Sequence, residues 1–285
     1  MAVALIAWLT AIFGRRATSW LLHPICWYFA ASSPGARRAS SAFLRRSLGR
    51  EPGLSDVLRH FHTFATTVHD RVPLVLQRGG TFEIAVQGIE VLERVLRSGR
   101  GCVLLGSHMG SFEVLRAMGR VAGVHVVNIV MHTRETAHTS HALSRMAPEL
   151  QERVIAPGRP ETMLKIKECL EKGEIVGILG DRRFGGTKTR ACTFLGAPAE
   201  FPLGPLLIAG TLGAPVVTFF GLYEGGSRYQ IFLETLTEGT AEAKADRTAR
   251  AAERLETYVE RLERYARRYP YNWYNFYDFW NEGLG

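Results

Sequence analysis

GCVLLGSHMGSFEVLRAMG, residues 101–119, is the stretch whose reading decides the fold. Cys102 to Leu105 form a short apolar run, which suits a buried strand. A Gly-Ser-His-Met-Gly-Ser-Phe-Glu segment follows, and then Val114, Leu115 and Met118 recur at helical spacing. The order is strand, tight turn, helix. It places His108 just beyond a strand end and Glu113 in the first turn of the next helix. In an open α/β sheet, ligands bind at that edge.

The same stretch carries chemistry. A histidine can accept a proton near neutral pH. A carboxylate behind it fixes the tautomer and stabilises the imidazolium that forms. Five positions exceed the i,i+4 reach within one helix. Across a strand–turn–helix junction, however, His108 and Glu113 can converge. Gly106 and Gly110 let the chain bend and let a substrate come close. Alone, His-x4-Glu does not separate a general base from a core histidine with satisfied hydrogen bonds, so the rest of the chain has to decide.

The 285 residues are enough for one large α/β domain with additional helices. An apolar fraction of 46% and a charged fraction of 22% argue against a disordered or collagen-like chain. The formal charge of +8 points to anionic partners: lipid, a phosphate-bearing cofactor or an acidic carrier protein. There is no nucleic-acid motif, and nucleic acid is not expected as a partner. Cys26, Cys102, Cys169 and Cys192 show no CxxC or zinc spacing, so a reducing compartment is expected and a metal site is not.

The chain opens with two apolar runs, residues 1–13 and 20–31, separated by Arg15 and Arg16. Neither reaches the roughly 20 residues that span a bilayer. The charges follow the first run instead of preceding it, which fits a signal peptide poorly. With Trp8, Trp20, Trp27 and Tyr28, the runs read as helices lying in a membrane interface, ordinary core helices being the alternative. Arg15, Arg16, Arg37, Arg38, Arg45 and Arg46 would then meet anionic lipid. A basic helix over 36–49 closes at Gly49, and a long helix runs from 54 to 76. Its His60, His62 and His69 lack metal spacing and read as solvated or capped. Residues 1–78 thus form a helical, membrane-associating region, and 79–285 an α/β domain.

Within that domain, strands are expected at 81–86, 102–106, 125–131, 153–156, 174–179, 215–220 and 228–233. Helices at 88–97, 136–150, 161–170 and 203–212 alternate with them. The pattern predicts a mostly parallel central sheet flanked by helices. Leu255, Tyr258, Val259, Leu262, Tyr265 and Ala266 mark the apolar face of an amphipathic helix over 243–269. The chain then ends in the aromatic run YNWYNFYDFW, residues 271–280.

A second candidate follows the EIVGIL strand directly: Gly180-Asp181-Arg182-Arg183-Phe184-Gly185-Gly186. Arg182, Arg183, Lys188 and Arg190 come with no acid between them. Such a loop can hold phosphate or carboxylate through guanidinium forks and backbone N–H groups. A solvated basic loop is the plainer reading. A P-loop fails, because Gly180-x4-Gly185 is followed by Gly-Thr and not Lys-Ser/Thr.

Ser107 to Glu113 resembles the first block of the lysophospholipid acyltransferase superfamily, closest to its late lipid A acyltransferase branch. Ile178 to Arg182 with Phe194 to Pro198 is similar to the third block, and Ala214 to Val217 to the fourth. Val130 to Glu135, with Arg134, is a loose match to the second. The resemblance runs from about residue 80 to the aromatic end. It implies a glycerolipid acyltransferase-like fold at the cytoplasmic face of the bacterial inner membrane. It also implies acyl transfer from an acyl carrier protein or coenzyme A thioester to a hydroxyl of a lipid or glycolipid, with no bound cofactor. His108 takes the role of general base and Glu113 that of its partner. Gly110, Arg134, Asp181, Arg182, Arg183, Lys188 and Arg190 become donor- and substrate-binding candidates, with N–H groups near Gly110, Arg134 or Arg182 as oxyanion donors. A hydrolase on the same scaffold and a non-catalytic lipid-binding module are the competing classes.

Overall fold

The structure is a computed structural model that describes residues 10, 12–75, 82–115, 127–131, 153–183 and 187–281. Helical residues 12–18 and a 3-10 turn, Ser19–Leu21, lead into α1 (Leu22–Ser32), α2 (Pro34–Leu48) and α3 (Leu54–Val75). Gly49 ends α2 at φ 67°, a left-handed cap that glycine adopts without steric cost.

The α/β part comprises β1 (Glu83–Gln87), α4 (Ile89–Arg97), β2 (Cys102–Gly106), β3 (Val127–Val130), β4 (Val154–Ile155), α5 (Pro160–Glu171), β5 (Ile175–Leu179), β6 (Thr189–Phe194), β7 (Ala197–Pro202), α6 (Gly204–Leu212), β8 (Val216–Gly225), β9 (Arg228–Thr237) and α7 (Arg247–Arg268). Seven strands form one sheet in the order β1-β9-β8-β2-β5-β3-β4. β8, β2, β5, β3 and β4 run parallel to one another, and only β9 with its partner β1 runs the other way. This is the mostly parallel sheet expected from the βα alternation.

β2 lies at the centre, and all five of its residues are buried. Its pleat divides them: Val103 and Leu105 enter the core on one face, Cys102 and Leu104 the core on the other. On the first face α7 buries the side its rhythm marked, Leu255, Tyr258, Val259, Leu262, Tyr265 and Ala266. The Tyr258 hydroxyl donates to the carbonyl of Gly106 at 2.8 Å and so pins the end of β2. β6 and β7 form a separate antiparallel hairpin that the sequence reading leaves partly as a basic loop. Its two-residue turn, Leu195-Gly196, has positive φ at both positions (52° and 82°), as a tight hairpin turn requires.

Helices α1–α3 share the first core with α7: Cys26, Phe43 and Phe61 lie in one cluster with Leu255, Leu262 and Trp273. The boundary expected near residue 78 and the helix expected at 136–150 lie outside the described residues. Among the described residues, no helix is long and apolar enough to cross a membrane. Ile12, Phe13, Trp20, Trp27 and Tyr28 nevertheless stand exposed, Trp20 by 75% and Tyr28 by 74%.

Two sequence readings of this region need correction. Arg15 is not a lipid-facing cation: its guanidinium chelates the buried carboxylate of Asp70 at 2.5 and 3.0 Å. Two of the three α3 histidines are buried instead of solvated, while His62 is partly exposed. His60 is fully buried between the Ser40 hydroxyl and the Trp273 carbonyl, and His69 is buried against Thr10 and Thr18.

Candidate active site

β2 and β5 are parallel neighbours in register, Gly106 opposite Leu179. Two residues beyond each strand end stand His108 and Asp181. The shared register therefore brings them side by side, although 73 positions separate them in the chain. Asp181 Oδ1 lies 2.9 Å from His108 Nδ1, and Asp181 Oδ2 accepts the His108 backbone N–H at 2.9 Å. Asp181 has no exposed surface, whereas the His108 side chain keeps 23% of its own.

The remaining donors to Asp181 come from the C-terminal segment. The Trp273 indole N–H donates to Oδ2 at 2.9 Å, and the Asn275 amide to the same oxygen at 3.1 Å. That segment runs antiparallel beside the His108 turn. The Gly110 N–H donates to the Asn272 carbonyl and the Tyr274 N–H to the His108 carbonyl, each at 2.8 Å.

Burial alone would raise the pKa of Asp181. The charge of His108, its ring and backbone hydrogen bonds and the charge of Arg182 outweigh burial and bring the carboxyl down to about 2. Asp181 is therefore ionised and can only accept hydrogen bonds. The proton on their shared contact must sit on Nδ1, which leaves Nε2 of neutral His108 as the basic nitrogen.

Glu113, the expected partner, is engaged elsewhere. It accepts the Ser111 hydroxyl at 3.3 Å and pairs with Arg71 of α3 at 3.4 Å. The Nδ1 partner of His108 is thus Asp181, because β5 adjoins β2 in register. Ser111 points to Glu113 and is 2% exposed, an arrangement that does not prepare it as a nucleophile activated by His108.

Gly110 has φ 74°, and a Cβ there would collide with the Gly221 carbonyl, so only glycine fits. Its N–H is committed to Asn272 and is not an oxyanion donor. Arg182 gives Nε to the Asn275 side chain at 2.5 Å and Nη2 to the Tyr274 carbonyl at 2.9 Å, which clamps the C-terminal segment down. Arg183, Lys188 and Arg190 are exposed and reach Asn281, Thr248 and Glu256 respectively. Arg134 and residues 184–186 lie outside the described residues. Phe194, Phe201 and Trp273 are wholly buried core.

Sequence reasoning missed Arg71, Trp273 and Asn275 as neighbours of the site. Nothing local marks them, since each arrives from a distant part of the chain.

Residues 54–267, well over half of the chain, match the family model described as bacterial lipid A biosynthesis acyltransferase. No curated protein matches the chain.

Proposed function

The chain belongs to the bacterial lipid A biosynthesis acyltransferase family and is an acyltransferase, and on that premise we propose that His108 is its general base. The donor is a thioester of acyl carrier protein or coenzyme A, and the acceptor a hydroxyl of a lipid or glycolipid. The observation that carries this reading is the ionised, buried Asp181 on Nδ1 of a partly exposed His108.

His108 Nε2 takes the proton from the acceptor hydroxyl as its oxygen attacks the thioester carbonyl carbon. The tetrahedral intermediate collapses with cleavage of the C–S bond. The departing thiolate then receives the proton from the imidazolium, so the base is restored and no acyl-enzyme forms. Asp181 holds the ring in the productive tautomer and stabilises its cationic form. Glu113, fixed by Arg71 and Ser111, adds a second negative charge after the same strand. Arg183, Lys188 and Arg190 offer exposed positive charge to the phosphates of coenzyme A or to an acidic carrier. Trp20, Trp27 and Tyr28 seat the protein in the interface of the inner membrane, on its cytoplasmic face.

The test is product analysis by mass spectrometry with an acyl thioester and a lipid A precursor in mixed micelles. The wild type is expected to form the acylated lipid, and folded His108→Ala to lose that activity by about 10²–10⁴-fold. Free fatty acid as the sole product, or full activity in His108→Ala, would overturn the reading.

A further inference from the structure

The side chains of the aromatic C-terminal segment reach the acid that holds the base. Trp273 Nε1 and Asn275 Nδ2 both converge on Oδ2 of Asp181, at 2.9 and 3.1 Å, while Oδ1 faces His108. Trp273 is itself immobilised. It has no exposed surface, its ring packs against Phe43, Phe194 and Phe279, and its carbonyl accepts the His60 Nε2–H at 2.8 Å. Because His60 Nε2 donates there, His60 Nδ1 accepts the Ser40 hydroxyl at 2.9 Å. Hydrogen bonds thus hold Trp273 at both ends, its carbonyl to His60 and through it Ser40, its indole N–H to Asp181, which in turn faces His108.

We propose that Trp273, seconded by Asn275, is a positioning residue for acyl transfer: by occupying Oδ2 of Asp181 it keeps Oδ1 directed at Nδ1 of His108. The C-terminal segment and helices α2 and α3 are in this sense parts of the active site. The inference rests on His108 being the base. A carboxylate can turn about its Cβ–Cγ bond, so both oxygens need partners if one is to stay aligned with the imidazole. Among the described residues, the titratable and charged groups that act on Asp181 include His108, Arg182 and the phenols of Tyr258 and Tyr277.

Trp273→Phe removes the N–H and keeps an aromatic ring. Losing one charge-assisted hydrogen bond is expected to lower kcat by about tenfold or more, with KM within twofold of wild type. Freed of the indole, the Asp181 carboxylate can turn away from Nδ1 and stabilises the imidazolium less, so the acid limb of the rate profile moves to lower pH. Leu92→Ala opens the core on the opposite face of the sheet, away from Trp273 and Asp181, and is expected to lower Tm while leaving that limb in place. Should Trp273→Phe fail to fold, the wild type still answers. The indole 15N–1H resonance of Trp273, assigned by replacing the other tryptophans singly, is expected to titrate with the midpoint of His108. His108→Gln is expected to abolish that step. An unmoved acid limb with unchanged kcat in folded Trp273→Phe, or no such titration step, would overturn the proposal. Full activity in His108→Ala would instead overturn the assignment of the base.

Discussion

Asp181 keeps its charge with no exposed surface because four donors surround it: the ring and backbone nitrogens of His108, the Trp273 indole and the Asn275 amide. Its carboxyl pKa in the folded protein, about 2, lies below the ordinary 3.8. Ionisation therefore stabilises the fold above about pH 4, on the order of 2 kcal/mol, and the contribution disappears as pH falls through about 2. The Tm difference between wild type and Asp181→Asn is accordingly expected to be largest near neutrality and to shrink below pH 4. A difference that stays constant across that range would contradict the linkage. His108 itself was legible in the sequence, since an apolar run ending in a glycine-flanked histidine marks a strand end. Its partner was not. β3 follows β2 in the chain, yet β5 lies between them in the sheet, and that adjacency is a property of topology. A spacing of five residues is visible in a sequence, whereas a register shared by two strands is not.

At the scale of elements, periodicity located most of the strands and helices. β2 begins and ends where its apolar run does, and α7 buries the marked face. The β6–β7 hairpin escaped because its cations suggested a loop and its alternation is interrupted by Pro198 and Gly196. The role of Arg15 escaped because a charge beside an apolar run looks the same in sequence whether it meets lipid or a buried acid. Arg15 joins the first helical segment to α3 through Asp70, which also accepts the Tyr229 hydroxyl of β9 at 2.8 Å. Removing one member of a buried pair leaves the other charge uncompensated. Arg15→Met is expected to destabilise the protein by about 3 kcal/mol, as urea denaturation would measure. Arg15→Met combined with Asp70→Asn should recover part of that loss. A single-variant loss near zero would show that the segment is not anchored there.

For the molecule as a whole, the helical N-terminus presents two different sides. Inward, α2 and α3 hold Ser40 and His60 against the backbone of Trp273. Outward, Ile12, Phe13, Trp20, Trp27 and Tyr28 present apolar surface to the surroundings. An enzyme with a lipid acceptor gains from such a face, because it concentrates the catalyst where the acceptor lies. Replacing Trp20, Trp27 and Tyr28 together by serine is expected to weaken sedimentation with anionic phospholipid vesicles at least about tenfold, from the apolar area removed. Soluble-donor binding should be unaffected. Unchanged vesicle binding would assign those side chains to some other contact.

The most direct measurement is kcat for acyl transfer by Asp181→Asn beside wild type and Glu113→Gln. An asparagine amide facing Nδ1 donates to it, which moves the ring proton to Nε2 and removes the lone pair that must accept the acceptor's hydrogen. A fall of about 10²–10⁴-fold at nearly constant KM is expected, and a smaller fall for Glu113→Gln, which leaves the Nδ1 bond intact. A folded Asp181→Asn enzyme turning over within twofold of wild type would contradict the mechanism.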